Sequence, residues 1–87
     1  MRIWGKIMRS NKMLWDTTVT DDSDDTRTHK IFRALEEICR ERDLSVPIWL
    51  DTNIRDFKRY KKTRFGQDSF VGEQIDFDFL EFQILEE

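Results

Sequence analysis

Thr28, Ile31, Phe32, Leu35, Ile38 and Cys39 recur at three- and four-residue steps, the spacing that gathers side chains on one face of an α-helix. Arg33, Glu36, Glu37 and Arg40 take the opposite side, where Arg33–Glu37 and Glu36–Arg40 stand at i,i+4 and support the helix electrostatically. The pattern predicts a helix over residues 26–42. A helix with one apolar stripe must bury it against a second layer. In a chain of 87 residues there is room for one core and one domain, so that layer has to come from the segments flanking the helix.

Both flanks alternate like strands. In residues 1–9, Ile3 and Ile7 share one face and Trp4 and Met8 the other. Apolar residues on both faces predict a central strand with a neighbour on each side. Ser10-Asn11-Lys12 suits a tight hairpin because Asn tolerates positive φ. In the return strand, 13–20, Met13, Trp15, Thr17 and Val19 alternate with Leu14, Asp16, Thr18 and Thr20. Residues 74–86 alternate again, through Ile75, Phe77 and Phe79 and then Leu80, Phe82 and Ile84; the slip in phase predicts a bulge or bend between Phe79 and Leu80. This last strand is expected antiparallel along the free side of 1–9, where Arg2, Lys6 and Arg9 would meet Asp76, Asp78 and Glu81.

The expected fold is therefore α+β: an antiparallel sheet of three to four strands, the N-terminal one central, packed by one long and one short helix. The long helix would cover the Ile3/Ile7 face. The Trp4/Met8 face is left for the second helix, for the segment 48–50, or for a second subunit, which makes an uncovered sheet face the expected place for a homodimer contact. In the acidic run 21–25, Ser23 or Asp25 is placed to cap the long helix. Pro47 ends it, and Ile48-Trp49-Leu50 reads as an extended, buried connector. Asp51 or Thr52 is expected to cap a second helix over 53–61 with Ile54 and Phe57 facing inward, whereas 63–72, with Gly66 and Gly72, carries no usable pattern.

Composition removes whole classes of function. One Cys and one His allow neither a disulfide framework nor a Cys/His zinc site. No apolar run approaches the ~18–20 residues that span a bilayer, and residues 1–6 lack the apolar core of a signal peptide. A reduced, cytoplasmic protein with no membrane partner is expected. In the acidic loop, Asp22, Asp24 and Thr26 fall at alternating positions, but Arg27 stands where a calcium loop needs Gly, so no metal site is expected. His29 lies one turn from Asp25 and reads as a helix-surface residue able to pair with it. Cys39 lies ten residues from His29, about 15 Å along one helix, too far for a nucleophile–base pair. The three glycines are scattered, so no phosphate-cradling loop exists. No catalytic residue and no cofactor is expected.

Charge is distributed in blocks: +3 over residues 1–20, −3 over 21–43, +4 over 44–65 and −7 over 66–87. In the third block Arg55, Lys58, Arg59 and Lys62 stand at i, i+3, i+4 and i+7, which would place four cations on one helical face. Lys61 and Arg64 extend the patch, and Phe57, Tyr60 and Phe65 are interleaved with it. Such a stripe can contact phosphates while aromatics stack bases. Against nucleic acid stand the pI of about 5.2 and an acidic C-terminal block able to cover the stripe. The leading expectation is a small non-catalytic interaction or regulatory protein with a protein partner. A nucleic-acid-binding module using the basic stripe is the alternative, and a small enzyme comes last.

The runs TRTHKIFRALEEIC at 26–39, PIWLD at 47–51 and IDFDFLE at 75–81 resemble those of small uncharacterised bacterial proteins. That resemblance implies a free-standing cytoplasmic bacterial protein and carries over no activity and no site residue.

Overall fold

Ser10 and Asn11 both adopt positive φ, 51° and 65°, and this two-residue turn folds β1 (Arg2–Arg9) back on β2 (Lys12–Thr20) with the twist that hairpin strands need. The computed structural model describes all of residues 1–87. After β2 come α1 (Arg27–Glu41), α2 (Asp51–Tyr60), β3 (Lys62–Phe65), a 3₁₀ turn at Gln67–Ser69 and β4 (Phe79–Glu86). The four strands form one sheet in the order β2-β1-β4-β3, antiparallel throughout. The fold is α+β with β1 central, as the two apolar faces of residues 1–9 require.

One sheet face carries the core. Ile3, Gly5 and Ile7 lie across Val19, Thr17 and Trp15 on one side and across Ile84, Phe82 and Leu80 on the other. Beyond β4, Thr63 and Phe65 continue the same face. Ile31, Ala34, Leu35, Ile38 and Cys39 of α1 are buried against it. Phe57 of α2 stacks on Phe82 with centroids 5.6 Å apart, so both helices sit on this face.

The opposite face holds Trp4, Lys6 and Met8 and is helix-free. Charge, not packing, finishes it. Glu81 is only 4% exposed because Lys6 Nζ at 2.9 Å and Arg64 Nε at 3.1 Å bracket its carboxylate. The same cations lie over rings, Lys6 at 4.2 Å from the Trp4 centroid and Arg64 at 4.4 Å from that of Phe79. Trp4 Nε1 donates to Asp16 at 2.9 Å. The expected cross-strand attraction thus holds for Lys6 and Glu81. Arg2 instead pairs with Glu86 at 3.2 Å, and Asp78 accepts from the Ser10 N–H at 2.8 Å.

Several boundaries differ from the sequence expectation. β4 begins at Phe79, so the phase slip before Leu80 marks the start of a strand and not a bulge within one. Ile75 and Phe77 pack half-buried against the core from irregular chain, Phe77 edge-on to Phe70. The bulges lie elsewhere, between Ile7 and Met8 in the β1–β2 ladder and between Arg2 and Ile3 in the β1–β4 ladder. Thr26, not Ser23 or Asp25, caps α1, its hydroxyl accepting from the His29 N–H at 3.2 Å. α2 starts at Asp51 after Leu50, and neither Asp51 nor Thr52 is its cap.

Ile54 is 41% exposed, because Asn53 takes the inward position beside Phe57. Its amide donates to Thr63 Oγ1 and to the Arg64 carbonyl, both at 2.9 Å, and accepts from the Leu50 N–H at 3.0 Å. Phe32 is 47% exposed, and Ile48 of the connector is exposed as well. Lys61 in the left-handed region, φ 57°, ends α2 and starts β3, where Thr63 and Phe65 alternate inward.

Two outcomes test this arrangement. A Cβ at Gly5 would fall 2.7 Å from Ile38 Cγ2 and 2.8 Å from its Cδ1, and Ile38 is fully buried. G5A should cost about 1–3 kcal/mol through overpacking, read as a drop in the urea midpoint; an unchanged midpoint would show that α1 does not seat on β1 this closely. For Glu81, burial raises the carboxyl pKa, but the hydrogen bonds from Lys6 and Arg64 outweigh it and the net shift is downward. A carboxylate lowered in the fold stabilises above the ordinary value of 4.5 and loses that contribution as pH falls through its folded pKa. E81Q should cost about 1–3 kcal/mol at neutral pH and flatten the stability–pH slope below 4.5. A slope equal to that of the native chain would contradict the bracketed carboxylate.

Candidate functional site

The six cations singled out in the sequence do not share one helix face. Arg55, Lys58 and Arg59 lie on α2, Lys61 is its left-handed C-cap, and Lys62 and Arg64 belong to β3. The reason is local: α2 ends at Tyr60, and the strand that follows turns Lys62 and Arg64 onto the helix-free side of the sheet, across Gln83 and Glu81. The C-terminal acids cover part of the set. Arg64 pairs with Glu81, and Lys61 Nζ lies 2.7 Å from Glu87. Glu87 also accepts from Arg27 Nε at 2.6 Å, so one carboxylate ties the start of α1 to the end of α2. Arg27 first and Lys61 second hold that carboxyl down at about 2. Arg55, Lys58, Arg59 and Lys62 have no carboxylate within ion-pair distance.

Next to the unpaired cations of α2 the helices leave an apolar cleft of about 200 Å³. Ile31 and Phe32 of α1 form one wall, Ile54 and Phe57 of α2 the other, and Trp49 contributes from the connector. Arg27, Thr28 and Lys58 complete the lining, which contains no carboxylate. The cleft exists because Trp49 is a wedge. Its ring stands nearly perpendicular to those of Phe32, Phe57, Phe65 and Phe82, at centroid distances of 5.0–6.1 Å. Its Nε1 is buried and has no hydrogen-bond partner. Of the exposed apolar side chains that sequence reasoning placed inside, Phe32 and Ile54 are the lips of this cleft, while Ile48 lies outside its lining. Their spacing on the helices signals an apolar position; what leaves them uncovered is the distance between two helices, which no local pattern encodes.

The other reactive groups are committed to the fold. Arg33 gathers the acidic loop, reaching Asp21 at 2.6 Å, Asp25 at 3.0 Å and Ser23 Oγ at 3.1 Å. His29 Nδ1 lies 2.9 Å from Asp25 Oδ1, the pairing their spacing suggests. His29, the Thr26 N–H and Arg33 together hold the Asp25 carboxyl at about 2, and Ser23 and then Arg33 hold Asp21 well below the ordinary carboxylate range. No three His, Cys, Asp or Glu side chains converge as a metal site would require. Burial, with a smaller push from Glu73, raises the Cys39 thiol to about 12, which makes it an inert core residue. A second, polar hollow is lined by Asn53, Ser69, Arg64 and Gln67. Ser69 Oγ there donates to Asn53 at 3.4 Å and has no base beside it.

No helix is long and apolar enough to cross a membrane. No family model, no curated protein and no solved structure matches the chain at a significant level.

Proposed function

We propose that this chain is a non-catalytic interaction protein whose working surface is the α1–α2 cleft, and that its partner is an acidic, amphipathic protein segment. The observation that carries the reading is the pairing of two features on one surface. Apolar side chains at Phe32 and Ile54 stand open to solvent around a carboxylate-free cleft, and Lys58 on its rim continues into Arg55 and Arg59, which form no ion pair within the chain. A volume of about 200 Å³ falls below the ~300–1,000 Å³ of small-molecule pockets and suits one or two apolar anchor side chains. Grooves between helices take such anchors from a partner helix at i, i+3 or i+4 spacing, while rim charges select the sign of its flanks.

The helix-free sheet face, where a homodimer contact was expected, is the weaker candidate. Its two aromatic rings are already covered by Lys6 and Arg64. Cytoplasmic residence accords with the buried, unpaired Cys39. The nucleic-acid reading keeps Arg55, Lys58, Arg59 and Lys62, with Tyr60 exposed beside them, but loses Lys61 and Arg64 to acids of the chain itself.

A peptide-display selection against the immobilised protein separates these readings. Enriched peptides should carry apolar residues at helical spacing flanked by Asp and Glu. I54E should weaken a selected peptide by about tenfold or more while leaving the circular-dichroism spectrum native. Enrichment of neutral or basic peptides, or full affinity in I54E, would overturn the cleft. Steep salt-dependent retention on a DNA resin, abolished by R55E/K58E/R59E, would put nucleic acid in its place.

A further inference from the structure

We infer that the free edge of β2 is a docking strand for a second copy of this chain, which would join two sheets into one of eight strands. The two edges of the sheet are unlike. β3 is four residues long and carries Lys62 and Arg64, the devices by which proteins protect an edge. β2 is nine residues long, has no Pro, and between Met13 and Thr20 carries one charge, Asp16. It pairs only with β1.

The direction of its main-chain groups follows from hydrogen bonds already made. Met1 and Asp21 exchange both main-chain bonds, at 2.8 and 2.9 Å. Narrow and wide pairs alternate along an antiparallel ladder, so Val19, Thr17 and Trp15 also bond to β1. Asp16, Thr18 and Thr20 therefore aim N–H and C=O off the sheet, and all three are exposed.

A symmetric antiparallel pairing must join these outward residues to one another, which leaves few registers. Centred on Asp16, it sets two carboxylates face to face and is disfavoured. Centred on Thr18, it matches only residues 16–20. Centred on Thr17, it joins Asp16 to Thr18 of the second copy and lays half-buried Trp15 across Val19 of the second copy on the helix-covered side, an aromatic–β-branched pair. The same register brings the hairpin end of each copy, with Arg9 and Lys12 lacking ion partners, beside the acidic loop of the other, where Asp24 also lacks one. Charge complementarity thus favours a copy of the same chain as occupant. This inference is independent of the α1–α2 cleft.

Light scattering after size exclusion tests it. The native chain at about 0.1 mM should run at twice 10.6 kDa and dissociate on dilution or in salt. T18P removes an outward N–H and should give a monomer with a native circular-dichroism spectrum. T17C, which needs no proline to fold, should form a covalent dimer on mild oxidation, because facing residues at a wide pair lie within disulfide reach. A native chain monomeric at every concentration, a folded T18P that still dimerises, or a dimer in which T17C does not cross-link would each overturn the inference.

Discussion

The Trp49 indole is the point on which the second half of the molecule turns. It stands edge-on to four phenylalanine rings drawn from α1, α2, β3 and β4, and it belongs to none of those elements. Perpendicular aromatic pairs of this kind contribute about 0.5–1.5 kcal/mol each beyond the area they bury. Against that gain stands a buried Nε1–H with no acceptor, a cost of about 1–3 kcal/mol. A residue held against such a cost is held by shape. Trp49 fills the space between two helices that lie side by side on one sheet face, and in doing so keeps them apart. The apolar cleft is the outer margin of that wedge.

Charge does for the helix-free face what packing does for the other. Glu81 is buried by Lys6 and Arg64 with no third layer over it, and both cations spend their remaining faces on Trp4 and Phe79. Glu87 performs a related task at the helix ends, joining Arg27 to Lys61. These contacts divide the basic block. Lys61 and Arg64 are neutralised inside the chain, whereas Lys62 of β3 and Arg55, Lys58 and Arg59 of α2 remain available. The proposed binding surface is what this internal accounting leaves over.

Much of the fold was legible because periodicity is a local property. The stripe of α1, the alternation of β1 and β2, the Asn11 turn and the Lys6–Glu81 attraction all follow from residue spacing. β3 escaped because it is four residues long and is entered through a left-handed Lys61, where no glycine marks the turn. Asn53 escaped because a polar residue earns an inward position only when Thr63, Arg64 and Leu50 supply its partners, and two of these lie ten or more residues away. Phe32 and Ile54 were assigned to the core because an apolar residue at helical spacing is normally covered. Whether it is covered depends on how far apart two helices lie, and Trp49 sets that distance. Ile75 and Phe77 show the converse: alternation without a ladder, since Asp78 bonds back to Met8 and Ser10 before β4 begins.

The three tryptophans report separately on the three surfaces at issue: Trp49 on the cleft, Trp4 on the helix-free face and Trp15 on the core side of the β2 edge strand. Their indole N–H resonances, followed by two-dimensional NMR while an acidic amphipathic helical peptide is added, locate binding directly. Occupation of the cleft predicts that the Trp49 resonance moves to saturation while those of Trp4 and Trp15 hold still. Movement of Trp4 with Trp49 unmoved would contradict the account and transfer the binding surface to the open face of the sheet.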